Sequence, residues 1–157
     1  MNKIKTVLEV LAVALVSMLV SCASSPEKKI DSVYLMVYDY DNSEVMNVSV
    51  YVDGEAVGET DIYGRLMISC DKQKEVIVRA EKKGYETIET KEAIKPGILL
   101  YFKMGSGSYY AEKAERFLDE KHPDDALRLI NKALEIEERK DWVFLKEVIE
   151  RRIGNVE

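Results

Sequence analysis

A change of hydrophobic period near residue 105 constrains the fold of this chain more than any other feature. Upstream, Val33, Leu35 and Val37 alternate with Tyr34, Met36 and Tyr38, and Val48, Val50 and Val52 alternate with Ser49 and Tyr51. Val76 and Val78 flank Ile77, and residues 97–103 form a last apolar run. Successive side chains of a strand point to opposite faces, so a period of two rich in Val, Ile and Tyr is the strand signal. Downstream the period becomes 3.6: Tyr110, Ala114, Phe117 and Leu118 form one helical stripe, and Ala126, Leu127, Ile130, Ala133 and Leu134 form the next. The chain is therefore expected to be α+β in two parts. A small antiparallel β-sandwich should occupy residues 32–104, and a three-helix segment should occupy residues 105–157.

The punctuation supports that division. Asp41-Asn42-Ser43, Asp53-Gly54, Tyr63-Gly64, Lys83-Gly84 and Pro96-Gly97 carry turn chemistry, and they separate six or seven short strands. No helical run between the strands is long enough for a crossover, which argues for antiparallel pairing. Gly105-Ser106-Gly107-Ser108 reads as a flexible hinge, with Ser108 as the N-cap of a helix to about residue 121. His122-Pro123 breaks that run, and Asp124-Asp125 starts a second helix to about Arg139. Asp141 should cap a third helix with a stripe of Val143, Phe144, Val148 and Ile149, stopped by Gly154.

The N-terminus sets the address. Met1-Asn2-Lys3-Ile4-Lys5 is a positive head, and Val10 to Val20 is an apolar run interrupted only by Ser17. That order is the layout of a secretory signal peptide. A membrane span needs about 20 apolar residues, roughly twice this run. Leu19-Val20-Ser21-Cys22 resembles the lipobox of bacterial lipoproteins. The resemblance implies a signal peptide over residues 1–21, cleavage between Ser21 and Cys22, and acyl chains on Cys22. Each buried CH₂ contributes about 0.8 kcal/mol, so two or three chains hold a protein firmly to a bilayer. Residues 22–31 then form a short polar tether, and Ala23 resembles the sorting position of outer-membrane lipoproteins. The implied location is the bacterial cell envelope, lipid-anchored, with the outer membrane favoured.

Two further resemblances carry the folded parts. Val48 to Gly54, then Val57-Gly58-Glu59-Thr60-Asp61, Gly64-Arg65-Leu66 and Lys83-Gly84-Tyr85, resemble the carboxypeptidase regulatory-like and PEGA-type families. They imply a transthyretin/Ig-like sandwich with no catalytic zinc. Leu66 stands where those families usually have an aromatic. Ala114, Phe117, Ala126, Ile130 and Ala133 resemble the spacing of a single tetratricopeptide repeat, with Tyr110 at its frequent Trp position. Repeats of this type generally need about three neighbours to bury a continuous core, so one hairpin and one extra helix leave an apolar face to be covered.

Charge and composition narrow the function. The net charge of −6 becomes −7 once Lys3, Lys5 and Glu9 leave with the signal peptide, and no basic stripe exists, so nucleic acid is excluded as a partner. Of the two cysteines, Cys22 is implied to carry lipid, and Cys70 ends an alternating strand as a partly buried thiol. His122 is the only histidine, beside a Pro, so neither a His-based catalytic pair nor a metal site is indicated. Asp39 and Asp41 begin like a calcium loop but lack its central Gly and distant Glu, which leaves a solvated turn. No cofactor is implied, and the chain reads as a non-catalytic protein. The candidate interaction surface is Tyr34, Tyr38, Tyr51, Tyr110 and Trp142, because tyrosine and tryptophan suit half-wet interfaces. The leading expectation is a membrane-anchored adaptor that binds another envelope protein. The alternative is a glycan or peptidoglycan binder that uses the sandwich as its reading surface.

Overall fold

The computed structural model describes residues 31–154. Ser21, Cys22 and the expected signal peptide lie outside the described residues, as does most of the tether. Among the described residues, seven strands come first and three helices follow. The strands are β1 (Ser32–Tyr38), β2 (Ser49–Val52), β3 (Glu55–Glu59), β4 (Arg65–Ser69), β5 (Lys74–Glu81), β6 (Ile88–Ile94) and β7 (Leu99–Lys103). They form a three-stranded sheet in the order β4-β1-β7 and a four-stranded sheet in the order β3-β2-β5-β6. The inward residues of both sheets make one core, with Val33, Leu35 and Val37 of β1 facing the same cluster as Val50, Val76, Val78 and Ala80.

One pairing departs from the expected antiparallel order. β1 and β7 run parallel, with Tyr34 opposite Leu99 and Tyr38 opposite Lys103. A parallel pair needs a long connection, usually a helix. Here the five intervening strands are the connection, since four of them build the opposing sheet before the chain returns.

The turns follow from local chemistry. Asp53 and Gly54 both adopt positive φ, 51° and 85°, as the two central residues of a type I′ hairpin between β2 and β3. Asp61 Oδ1 accepts from the backbone N–H groups of Tyr63 and Arg65, both at 2.9 Å, and this folds the β3–β4 turn. Gly64 in that turn has φ 68°, and a Cβ there would run into the Val37 carbonyl. Thr60 is buried, and its hydroxyl donates to the Val45 carbonyl at 2.7 Å while accepting from Val48 N–H at 3.0 Å. It thereby closes the β1–β2 loop onto the end of β3.

The helices are α1 (Gly107–Asp119), α2 (Pro123–Ile136) and α3 (Lys140–Gly154). Ser106 rather than Ser108 caps α1, its Oγ accepting from Tyr109 N–H at 3.0 Å. Pro123 occupies the first turn of α2, where a missing N–H costs nothing, and Asp124 and Asp125 face the positive end of its dipole. That helix ends at Ile136, three residues short of the expected Arg139. Ala114, Ala126 and Ala133 are fully buried where α1 and α2 approach, since small side chains let the two backbones come close.

The stripe of α3 is also corrected. Its buried residues are Trp142 and Ile149, with Leu145, Val148 and Ile153 packed beside them. Val143 and Phe144, expected inside, face solvent instead. Four consecutive apolar residues at 142–145 leave the inward side of this helix undefined by periodicity. Packing against α2 makes the choice.

Candidate interaction surfaces

The segment expected to be a hinge is a pinned junction. Gly105 and Gly107 are buried. Glu86 N–H donates to the Gly105 carbonyl at 2.9 Å, and Gly107 N–H donates to the Gly84 carbonyl at 3.0 Å. Both glycines are required by neighbouring rings. A Cβ on Gly107 would lie 2.7 Å from the Trp142 indole, and one on Gly105 would collide with the Tyr110 ring.

Glu86 is the centre of this junction. Its Oε1 accepts from Gly105 N–H at 2.6 Å and from the Tyr110 hydroxyl at 2.7 Å. Its Oε2 pairs with Lys132 Nζ at 2.6 Å, and that ammonium also sits 4.3 Å from the Tyr110 ring centroid. Burial alone would raise the pKa of Glu86, but the hydrogen bonds from Lys132, Gly105 and Tyr110 outweigh it and hold the carboxyl below its ordinary value. Burial, and then the bond to this carboxylate, push the Tyr110 phenol far above its ordinary range. The cluster joins the loop after β5 to both α1 and α2. Tyr40, from the β1–β2 loop, adds a stacked contact to Tyr109 with ring centroids 5.0 Å apart.

Two candidate residues are therefore removed from the outer surface. Tyr110 is 5% exposed and Trp142 is 6% exposed. Tyr110 is consumed by Glu86. Trp142 packs its ring over Gly107 and receives the Arg139 guanidinium 4.5 Å from its centroid. Both hold the molecule together rather than meeting a partner. Tyr51 remains at the surface, on the outer face of the four-stranded sheet, beneath the Arg79 guanidinium at 4.5 Å. Arg79 in turn pairs with Glu81 at 2.9 Å, and Lys91 pairs with Glu75 at 2.7 Å on the same sheet. Charges engaged in this way make that face an ordinary solvated one.

Tyr34 and Tyr38 lie on a different kind of surface. On the outer side of the three-stranded sheet, Tyr34 sits between Met67 of β4 and Leu99 of β7. One step along β1, Met36 sits between Arg65 and Tyr101. Tyr38 stacks on Tyr101 with centroids 5.3 Å apart. Met67 is 62% exposed and Tyr34 is 45% exposed, with Leu99 and Tyr101 similarly open. The helices contact the loops at the Tyr38 end and leave this face open. Sequence periodicity placed the tyrosines opposite the core, but it missed Met67, Leu99 and Tyr101. They join the patch only through non-local pairing.

Several other groups find structural employment. Asp39 Oδ1 accepts from the backbone N–H groups of Asp41 and Ser43, at 2.9 and 2.8 Å, so the Asp39–Glu44 segment closes as a turn. Cys70 is a buried thiol in contact with the Lys72 carbonyl at 3.1 Å. His122 precedes α2 and lies edge-on to Phe117. Among the described residues, no helix is long and apolar enough to cross a membrane.

Comparison with known proteins adds little to this geometry. No family model matches the chain, and no curated protein matches it. Solved structures with partial likeness include the TIE protein of Bacillus anthracis, 16% identical, covering 50% of this chain and 17% of that one at a TM-score of 0.42. The major pilin subunit BcpA of Bacillus cereus is 16% identical, with coverage of 47% and 27% and a TM-score of 0.37. A 3-chlorocatechol 1,2-dioxygenase of Rhodococcus opacus is 13% identical, with coverage of 52% and 63% and a TM-score of 0.34. The chain spans less than two thirds of the length of each.

Proposed function

We propose that this chain is a lipid-anchored protein of the bacterial envelope, acylated on Cys22, that binds another envelope protein through its helical segment without catalysing a reaction. In this reading the two sheets are a transthyretin/Ig-like sandwich, and the helices are one tetratricopeptide-like hairpin followed by a third helix. The buried Ala114, Ala126 and Ala133 support the hairpin reading. The observation that carries the binding reading is the open side of α3, where Phe144 is 63% exposed beside the exposed Val143. Helical repeats stack on neighbours to bury such faces, and a partner helix would do the same. The non-catalytic reading is supported by the carboxylates of Asp39, Asp61 and Glu86, each engaged with backbone N–H groups rather than lining a reactive cleft. The outer membrane is the favoured location because Ala23 follows the acylated cysteine.

Two experiments test the reading separately. Metabolic labelling with a palmitate analogue should mark the wild-type chain and not Cys22→Ser, and equal labelling of both refutes the anchor. Capture of a defined envelope partner should be lost in Phe144→Glu; undiminished capture refutes the α3 face. The glycan reading rests on the exposed Tyr34 and Tyr101, and co-sedimentation with purified peptidoglycan would favour it instead.

A further inference from the structure

The two sheets present opposite surface chemistry. The strands of the four-stranded sheet carry six glutamates, Glu55, Glu59, Glu75, Glu81, Glu89 and Glu92, of which Glu75 and Glu81 are ion-paired. The strands of the three-stranded sheet carry no Asp or Glu at all. In a chain with 29 acidic residues, that is a marked local depletion. What faces outward there is methionine, leucine and tyrosine, with the cations Arg65 and Lys103 toward one end. Arg65 lies over the ring of Tyr63 at 4.4 Å and pairs with Asp61 at 3.2 Å, and the exposed Glu44, bridged to Tyr38, is a second carboxylate at this end. The adjoining turn carries Ile62 and Tyr63, both exposed.

We infer that this face docks on the phospholipid surface of the membrane that holds Cys22. The inference rests on the anchor reading above and deepens it. Tyrosine is enriched at the boundary between hydrocarbon and water, where its ring is buried and its hydroxyl stays wet. The strands bring no carboxylate to this face, which limits repulsion from anionic headgroups, and Lys103, bonded only to the neutral Asn42 amide oxygen, attracts them. Chain length brings the face within reach: nine residues separate Cys22 from Ser32, the first residue of the central strand. At the extended limit those ten virtual bonds span roughly 35 Å, so an acylated Cys22 keeps the sheet at the bilayer and makes a weak surface contact effectively intramolecular. The helical segment attaches at the Tyr38 end, through Tyr40 and Glu86, and stays free for a protein partner.

The test uses the acylated full protein in vesicles of phosphatidylethanolamine and phosphatidylglycerol. An environment-sensitive NBD probe is placed on Met67→Cys or Leu99→Cys, and on Ile77→Cys of the opposite outer face as the reference. All three positions are exposed, and the wild-type chain, whose Cys70 is buried, controls for background labelling. Docking predicts a blue shift and a several-fold rise in emission at Met67 and Leu99, with little change at Ile77. Equal responses on both faces, or none on either, in a protein that still floats with vesicles overturn the docking and leave the anchor intact. Failure to float, with an unmodified Cys22 by mass spectrometry, overturns the anchor reading and the docking with it. A response that appears only at high protein density assigns the face to a second copy. A response to soluble peptidoglycan fragments and not to lipid assigns it to glycan.

Discussion

Replacing Glu86 with alanine should loosen the helices from the sheets. The carboxylate accepts from Gly105 N–H and from the Tyr110 hydroxyl, and both donors are buried. Stranding a buried donor costs about 1–3 kcal/mol, and hydrogen bonds to charged groups contribute about 1.5–3 kcal/mol each. Loss of the pair with Lys132, a residue with substantial solvent contact, adds little. The expected cost of Glu86→Ala is therefore about 3 kcal/mol, a large share of the stability of a small domain. Glu86→Gln keeps an oxygen for both donors and loses the charge, so about 1 kcal/mol is expected. Denaturant titration of the purified protein gives these values, and a double-mutant cycle with Tyr110→Phe isolates the hydroxyl. Tyr110→Phe should cost about 1 kcal/mol or more in the wild type and close to nothing beside Glu86→Ala, because the shared bond is already gone. Equal costs in both backgrounds, or a Glu86→Ala cost below about 1 kcal/mol, would refute the account of Glu86 as the fastening of this junction.

The same carboxylate sets an acid limit. Its folded pKa lies below the ordinary 4.5, so its contribution is complete above the unfolded value and is lost as pH falls through the folded one. Thermal melting followed from neutral to strongly acidic pH should show a decline at the acid end that is smaller in Glu86→Gln. Thr60→Val should cost about 2–3 kcal/mol by stranding the Val45 carbonyl and Val48 N–H, whereas Thr60→Ser should cost about 1 kcal/mol or less, both by denaturant titration. Gly107→Ala should cost about 1–3 kcal/mol through overpacking against Trp142, and its tryptophan emission should shift to the red as that ring is displaced.

What could be read from the residues was whatever depends on neighbours in the chain. Val33, Leu35 and Val37 announce their inward face because a half-buried strand has period two, and the Asp53-Gly54 hairpin follows from positive φ. The mixed composition of strands before helices followed from the same local periods. Contacts between distant segments were not legible. Nothing around Tyr110 marks Glu86, which lies 24 residues earlier in a loop. Nor does anything local to Met67 or Leu99 say that they will flank Tyr34. The glycines at 105 and 107 look like a flexible linker because small residues also serve flexibility. Only the rings of Tyr110 and Trp142 reveal that they are there for close approach.

The parallel run of β1 beside β7 has a mechanical consequence. The chain reaches the sheets at Ser32 and leaves them toward the helices at Lys103, which lie at opposite ends of this strand pair. Tension between those two points pulls the strands past each other along their length. Their hydrogen bonds then share the load together instead of opening singly from one end, as in a peeled hairpin. Traction on the helices is thus borne by the central strand of the smaller sheet and the edge strand beside it.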